Sequence, residues 1–228
     1  MQSETQDAIC ESLETLSQAS DYYKWLAGRM RPYIRGKVLE IGAGIGTFAE
    51  WGKESATEYH VSDIDQRLVE KLAHRFHRVL SWDVFTPFPN DEQYDTIVIL
   101  NVVEHLENDQ EALRCIYKRL KPGGHLVLMV PAMQFLFGSL DTAFGHYRRY
   151  TKHSISKIMQ TAGFSIRKTE YVNVVGMLGW FLYGKILKSK NLPQQLCRRF
   201  NLMIPLLKFE RPIAYFFGLS VIAIAQKT

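Results

Sequence analysis

The sequence predicts an α/β fold, a mostly parallel sheet with helices on both faces. Two observations carry this. Five short apolar runs, at 37–41, 58–62, 78–82, 94–100 and 125–130, alternate with stretches of helical spacing near 47–54, 66–74 and 109–120. Strands and helices alternating in this way build βαβ units, and right-handed crossovers leave few topologies for them. The first run also breaks directly into Gly42-Ala43-Gly44-Ile45-Gly46, a turn that ends a strand and opens a helix within a few residues.

The elements follow in order. Over residues 1–36, Ile9, Leu13 and Leu16, then Tyr22, Trp25, Leu26 and Met30, recur at helical spacing and predict a helical lead-in. Pro32 and Gly36 mark the approach to the first strand. Lys121-Pro122-Gly123-Gly124 is a strong turn signal before the fifth. Beyond it, 151–162 suits a helix with Thr151 as its cap, and 165–172 suits a strand. Residues 173–212 read as a helical, aromatic and basic insertion, and 217–226 as a last strand. The apolar run from Val174 to Gly184 is too short to span a bilayer. It packs on the sheet, lines a pocket or lies on a membrane surface.

At 228 residues, 46% of them hydrophobic, the chain suits one domain with a substantial core. Its three cysteines are scattered, with no CxxC pair, which argues against a zinc ribbon or a disulfide framework. Such usage fits a reducing cytoplasm, and the polar, acidic start is unlike a signal peptide. The net charge of +5 is unevenly placed. Residues 1–141 carry 14 Lys/Arg and 21 Asp/Glu, whereas 142–228 carry 14 Lys/Arg and 2 Asp/Glu. A basic half of this kind suits an anionic partner or a membrane surface; the plainer reading is a solvated face balancing an acidic one.

A strand, a glycine turn and a helix form a corner able to cradle a nucleotide, with free N–H groups in the first helical turn. A dinucleotide fingerprint would place its third glycine at position 47, where the chain has Thr47. Glu40-x-Gly42-x-Gly44-x-Gly46 instead resembles motif I of the class I S-adenosylmethionine (SAM)-dependent methyltransferases. Tyr94 to Leu106 is similar to that family's fourth strand and following loop, and Leu120 to Leu128 to its entry into strand five. The resemblance covers residues 20–130. It implies a Rossmann-like, seven-stranded sheet whose last strand, here 217–226, is antiparallel. The chain then divides into an N-terminal lid (1–36), a SAM-binding core (37–130), a substrate-binding region (131–216) and the last strand (217–228).

With SAM as the implied cofactor, its parts can be assigned. The ribose diol needs a carboxylate acceptor at the end of the second strand, where Asp63 and Ile64 lie. Asp65 competes for this role and is otherwise the cap of the next helix. The adenine needs an acceptor and a backbone N–H, which Asp83 and Val84 offer; the alternative is that Asp83 opens a turn ahead of Pro87. The resemblance places Asn101 in the loop beneath the methionine moiety. Tyr22 and Arg29 are candidates to cover SAM and reach its carboxylate, although helical packing explains the aromatics equally well.

Methyl transfer is an in-line displacement that needs alignment and sometimes a base. His105, in Glu104-His105, is one candidate base. Quinone-biosynthesis O-methyltransferases resemble this stretch but carry Glu-x-x-Glu-His, which binds a divalent metal. Asn101 takes the place of the first acid here, so no metal is expected. The plainer reading has Glu104-His105 supporting the cofactor loop. The segment Gly145-His146-Tyr147-Arg148-Arg149-Tyr150-Thr151 is the second candidate and resembles a subgroup associated with glycosyltransferases of sugar or cell-surface metabolism. His146 is a possible base, Tyr147 and Tyr150 orient substrate, and Arg148 and Arg149 hold an anion. Trp180 and Tyr183 would wall the pocket. The alternative is a hinge in which Arg149 pairs with Asp141.

The expected protein methylates oxygen or nitrogen of a small molecule: a secondary metabolite, a sugar or a lipid-linked intermediate. Peripheral membrane contact is possible. The glycine spacing disfavours a nicotinamide oxidoreductase, and Asn101-Val102-Val103-Glu104 is not the Asn-Pro-Pro-Tyr-type tetrapeptide of nucleic-acid modifiers, so no nucleic acid is expected. A non-catalytic SAM-binding subunit remains an alternative.

Overall fold

The computed structural model describes residues 13–228. The apolar runs become β1 (Lys37–Ile41), β2 (Glu58–Asp63), β3 (Val79–Ser81), β4 (Tyr94–Leu100), β5 (Leu120–Pro131), β6 (Phe164–Val172) and β7 (Ser220–Lys227). They form one sheet in the order β3-β2-β1-β4-β5-β7-β6. Pairing is parallel from β3 through β5, while β7 runs antiparallel to both β5 and β6. Val38 and Leu39 show why both faces are covered. Successive strand residues point to opposite faces. Val38 joins Leu26 and Met30 of α1 (Ser20–Met30) on one side. Leu39 joins Leu113 and Ile116 of α4 (Asp109–Arg119) on the other. Between these two helices in the chain lie the short α2 (Ala49–Gly52) and α3 (Gln66–Ala73), which buries Leu68 and Leu72.

Two boundaries depart from expectation. The Lys121–Gly124 turn lies inside β5: Gly123, at φ 75°, bends the strand, and the ladder resumes with His125 opposite Thr96. The last strand starts at Ser220 rather than 217, because its partners there, Pro131 and Val172, are the final residues of β5 and β6.

After β5 come α5 (Ser139–Ala143) and α6 (Lys152–Thr161), the latter capped by Thr151 as expected. The insertion between β6 and β7 is broken into α7 (Val174–Phe181), a π-helical turn (Leu182–Ile186), α8 (Gln194–Phe200), α9 (Ile204–Leu207) and α10 (Arg211–Ala214). Pro193 precedes α8, and Pro205 and Pro212 open α9 and α10, so no long helix can form. Among the described residues no helix is long and apolar enough to cross a membrane.

The topology gathers the chemistry at one edge. Strand order reverses between β1 and β4, and the C-terminal ends of such strands form a ligand-binding crevice. The glycine turn, the β2 and β4 ends and residues 132–150 all leave from this edge. The insertion starts and finishes there too, because Ser220 pairs with both Pro131 and Val172.

Candidate active site

The glycine turn is built to bring backbone close to a ligand. Gly42, Gly44 and Gly46 all have positive φ, at 67°, 58° and 78°. A side chain at Gly42 would overlap Val102, and a Cβ at Gly46 would lie 2.8 Å from the Phe76 ring. The Gly44 N–H donates to Asp63 Oδ2 at 2.9 Å, and the Asp65 N–H donates to Asp63 Oδ1 at 3.0 Å. These two donors fix the Asp63 carboxylate between β1 and β2 while its remaining lone pairs stay available. Burial nevertheless raises its pKa. Asp65 takes the capping role, accepting from the Arg67 N–H at the start of α3. Ile64 is 66% exposed beside them. Leu13, in the short helix 13–17, lies against Gly44: a Cβ added there would be 3.2 Å from its Cδ1.

Glu40 lies beneath the turn, almost fully buried, and accepts from the Tyr59 hydroxyl at 2.6 Å. Burial pushes its carboxyl up to about 8. Asp83 opens the turn weighed as its alternative, accepting from the Phe85 N–H at 2.9 Å while its carbonyl accepts from Thr86. Val84 is buried beside it. Asn101 adopts a left-handed φ of 53° and donates its N–H to the Met129 carbonyl. Tyr22 stacks on Trp25 and meets Phe200 edge-on, and Arg29 is engaged by Glu170 at 2.6 Å. Arg29 is thus paired at β6, where Glu170 also meets Lys168 at 2.9 Å.

The segment after β5 folds around Asp141, which is fully buried. One of its oxygens accepts from His146 Nδ1 at 2.8 Å and Arg149 Nε at 2.7 Å. The other accepts from the Gly138 N–H at 3.0 Å and Trp180 Nε1 at 3.1 Å. Burial alone would raise Asp141, but His146 and Arg149 hold it below the usual carboxylate range. The Asp141 bond places a proton on His146 Nδ1, and Nε2 lies 3.9 Å from Glu104 Oε1. Tyr147 donates its N–H to the Glu104 carbonyl at 2.8 Å, tying this segment to the loop after β4. The His105 and His146 rings meet edge-on at 4.8 Å.

Glu104 is fully buried, and both of its carboxylate oxygens have no hydrogen-bond partner. Burial pushes it up to about 8, so near neutral pH it keeps its proton. Burial also lowers His105 to about 4, with the neighbouring His146 adding to the effect. Glu104, His105 and His146 each bring one ligand atom within 4.8 Å of the others, a set chemically able to hold a cation. The run Asn101 to His105 hides this set, because His146 reaches it from a different strand end.

Several expected substrate contacts are committed elsewhere. Arg149 has a fully buried side chain and also donates to the Ala132 carbonyl, so it supports the loop instead of meeting an outside anion. Tyr150 is buried, with its hydroxyl on Asp109 at 2.8 Å. Arg148 binds the same Asp109 oxygen at 2.9 Å and the Glu107 carbonyl. Trp180 lies under the Arg149 guanidinium at 4.8 Å. Tyr147 is 55% exposed, and Tyr183 is half-buried. The Arg149–Asp141 pair offered as the alternative is formed, whereas the bonds from His146, Gly138 and Trp180 to Asp141 were not foreseen.

Residues 1–169 match the family described as a methyltransferase domain, and the chain belongs to that family. Over 140 residues it is 27% identical to a probable S-adenosylmethionine-dependent methyltransferase of Mycolicibacterium smegmatis, covering 58% of this chain and 53% of that one. Over 97 residues it is 29% identical to a ubiquinone biosynthesis O-methyltransferase of Rickettsia bellii, covering 40% of each. The chain thus spans about half or less of these relatives. A SAM-dependent methyltransferase from Archaeoglobus fulgidus has the same fold, with a TM-score of 0.58 and 23% identity over 90% of this chain and 94% of that one. So does the N-methyltransferase NodS of Bradyrhizobium japonicum with S-adenosylhomocysteine, with a TM-score of 0.52 and 18% identity over 85% and 77%. The domain is a SAM-dependent methyltransferase domain, with SAM as its cofactor. The residues present fit that group, offering a positive-φ glycine turn and a carboxylate held at its mouth by two backbone donors.

Proposed function

We propose that the protein transfers a methyl group to oxygen or nitrogen of a small-molecule acceptor, with His146 as the base. The Asp141–His146 pair carries this reading: an imidazole oriented by a buried carboxylate, its Nε2 making no hydrogen bond and lying 3.9 Å from Glu104 Oε1. SAM, when bound, supplies the methyl from its sulfonium, and the thioether leaves with the electron pair. The chain's residues do the rest. Gly42 to Gly46 and Asp63 would hold the cofactor, with Ile64, Asp83, Val84 and Asn101 as its further contacts. Asp141 holds the His146 ring, and His146 Nε2 takes the acceptor's proton. Tyr147 orients the acceptor at the mouth, and Trp180 and Tyr183 form the wall. Neutral Glu104 behind the two histidines excludes a competing charge, and no cation is required.

The relatives' printed names include O-methyltransferases of ubiquinone biosynthesis and polyketide synthases. These support a small organic acceptor. The test is an acceptor screen that follows S-adenosylhomocysteine release with wild type and His146→Ala. Turnover lost in His146→Ala while S-adenosylhomocysteine still binds supports the reading, and equal turnover removes His146 as base.

A further inference from the structure

The insertion between β6 and β7 carries a surface that methyl transfer does not use. Among the described residues, 18 large apolar side chains are exposed, and 14 of them lie between Leu178 and Phe217. Leu202 and Phe209 are each 79% exposed, Leu178 67%, Phe216 62% and Ile186 60%. A helix on a folded core needs one apolar face. This insertion has two. Cys197, Ile204, Leu207 and Ala214 are buried toward the protein, and the second apolar set faces out between them.

Charge sharpens the pattern. Seven Lys and Arg residues lie within 178–217, all exposed, and none forms an ion pair among the described residues. The one acid in this stretch, Glu210, is buried and accepts from the Asn173 and Val174 N–H groups. The outer surface is therefore apolar and cationic, without anions. An isologous contact with a second copy would set this cationic patch against itself. An anionic lipid surface complements both halves of the pattern, because its headgroups meet the Lys and Arg residues and its acyl boundary takes the apolar tips. The helices are too short to span, so the surface would lie on the bilayer.

We propose that the 178–217 face docks this enzyme on an anionic membrane surface. The topology gives the docking a purpose. The insertion starts and ends at the same sheet edge as the glycine turn and the 132–150 segment, with Ser139 Oγ donating to the Gly184 carbonyl at 3.0 Å. A docked enzyme would present its acceptor mouth to the bilayer, which suits an acceptor carried on a lipid. That purpose rests on the proposed methyl transfer, whereas the docking itself does not.

The test is co-sedimentation of the full chain with vesicles of phosphatidylcholine alone and of phosphatidylcholine with phosphatidylglycerol. Wild type is expected to bind the anionic vesicles, to bind the neutral ones weakly, and to lose binding as salt rises. Leu202→Asp with Phe209→Asp should reduce anionic-vesicle binding at least about tenfold, since both anchors are removed and negative charge is added. Both positions are highly exposed, so circular dichroism and S-adenosylhomocysteine affinity should stay at wild-type values. Failure of vesicle binding with intact S-adenosylhomocysteine binding overturns the docking and leaves the methyltransferase reading standing. Binding that ignores vesicle charge or the two substitutions also overturns it. So does concentration-dependent self-association that the same substitutions abolish, which would assign the face to a second copy.

Discussion

Replacing Glu104 with Gln tests the electrostatics behind the two histidines. Glu104 is fully buried with neither oxygen hydrogen-bonded, Oε1 lying 3.9 Å from His146 Nε2, and burial pushes it up to about 8 from the ordinary 4.5. Between those two values the folded protein holds a proton that the unfolded chain has released. The folded state is then the more protonated one, so stability falls as pH rises through this window and levels off on either side. The slope is about 1.4 kcal/mol per pH unit at full effect. From pH 5 to 8 the loss is thus at most roughly 4 kcal/mol, and relaxation around the carboxylate reduces it. Gln cannot ionise and has nearly the same shape, so Glu104→Gln should lack this slope. Glu40, also raised to about 8, is present in both proteins and cancels in the comparison. The assay is urea unfolding of wild type and variant at pH 5, 6, 7 and 8, with EDTA present throughout. Glu104→Gln should gain on wild type steadily toward pH 8. Parallel profiles would refute the argument, showing Glu104 already ionised and partnered in the folded protein.

Further outcomes follow from the same site. Asp63→Ala should weaken S-adenosylhomocysteine binding by roughly 1.5–3 kcal/mol for each charge-assisted bond lost, read by calorimetry; an unchanged affinity would remove Asp63 from the cofactor site. His146→Ala should lower turnover by about 10²–10⁴-fold with cofactor affinity retained, and the same pattern in His105→Ala instead would move the base to His105. Activity should survive exhaustive EDTA treatment; turnover lost and then restored by magnesium would make Glu104, His105 and His146 metal ligands.

The sheet was legible because its strands are apolar runs of the right length separated by helical spacing, and the glycine turn fixed where β1 ends. The β5 boundary was not legible, because Lys121-Pro122-Gly123-Gly124 reads locally as a turn while the ladder with β4 continues past it. Asp63 and Asp65 could be ranked from position, and the hydrogen bonds to Gly44 and Arg67 separate them. Of the two readings of Arg149, the structure forms the pair with Asp141, and the burial of Tyr150 cannot be seen in a polar, aromatic string. Their partners, Asp141 and Asp109, lie 8 and 41 residues away. The Glu104–His105–His146 cluster joins two strand ends, a proximity that only the parallel β4–β5 pairing creates.

The glycine turn and Asp63 are proposed to hold SAM with its reactive end toward His146. A crystal structure with S-adenosylhomocysteine tests it most directly. Ribose hydroxyls are expected on the Asp63 carboxylate, and the sulfur on the side of His146 and Tyr147. Ribose held elsewhere, or a sulfur directed away with His146 sealed behind protein, would contradict it.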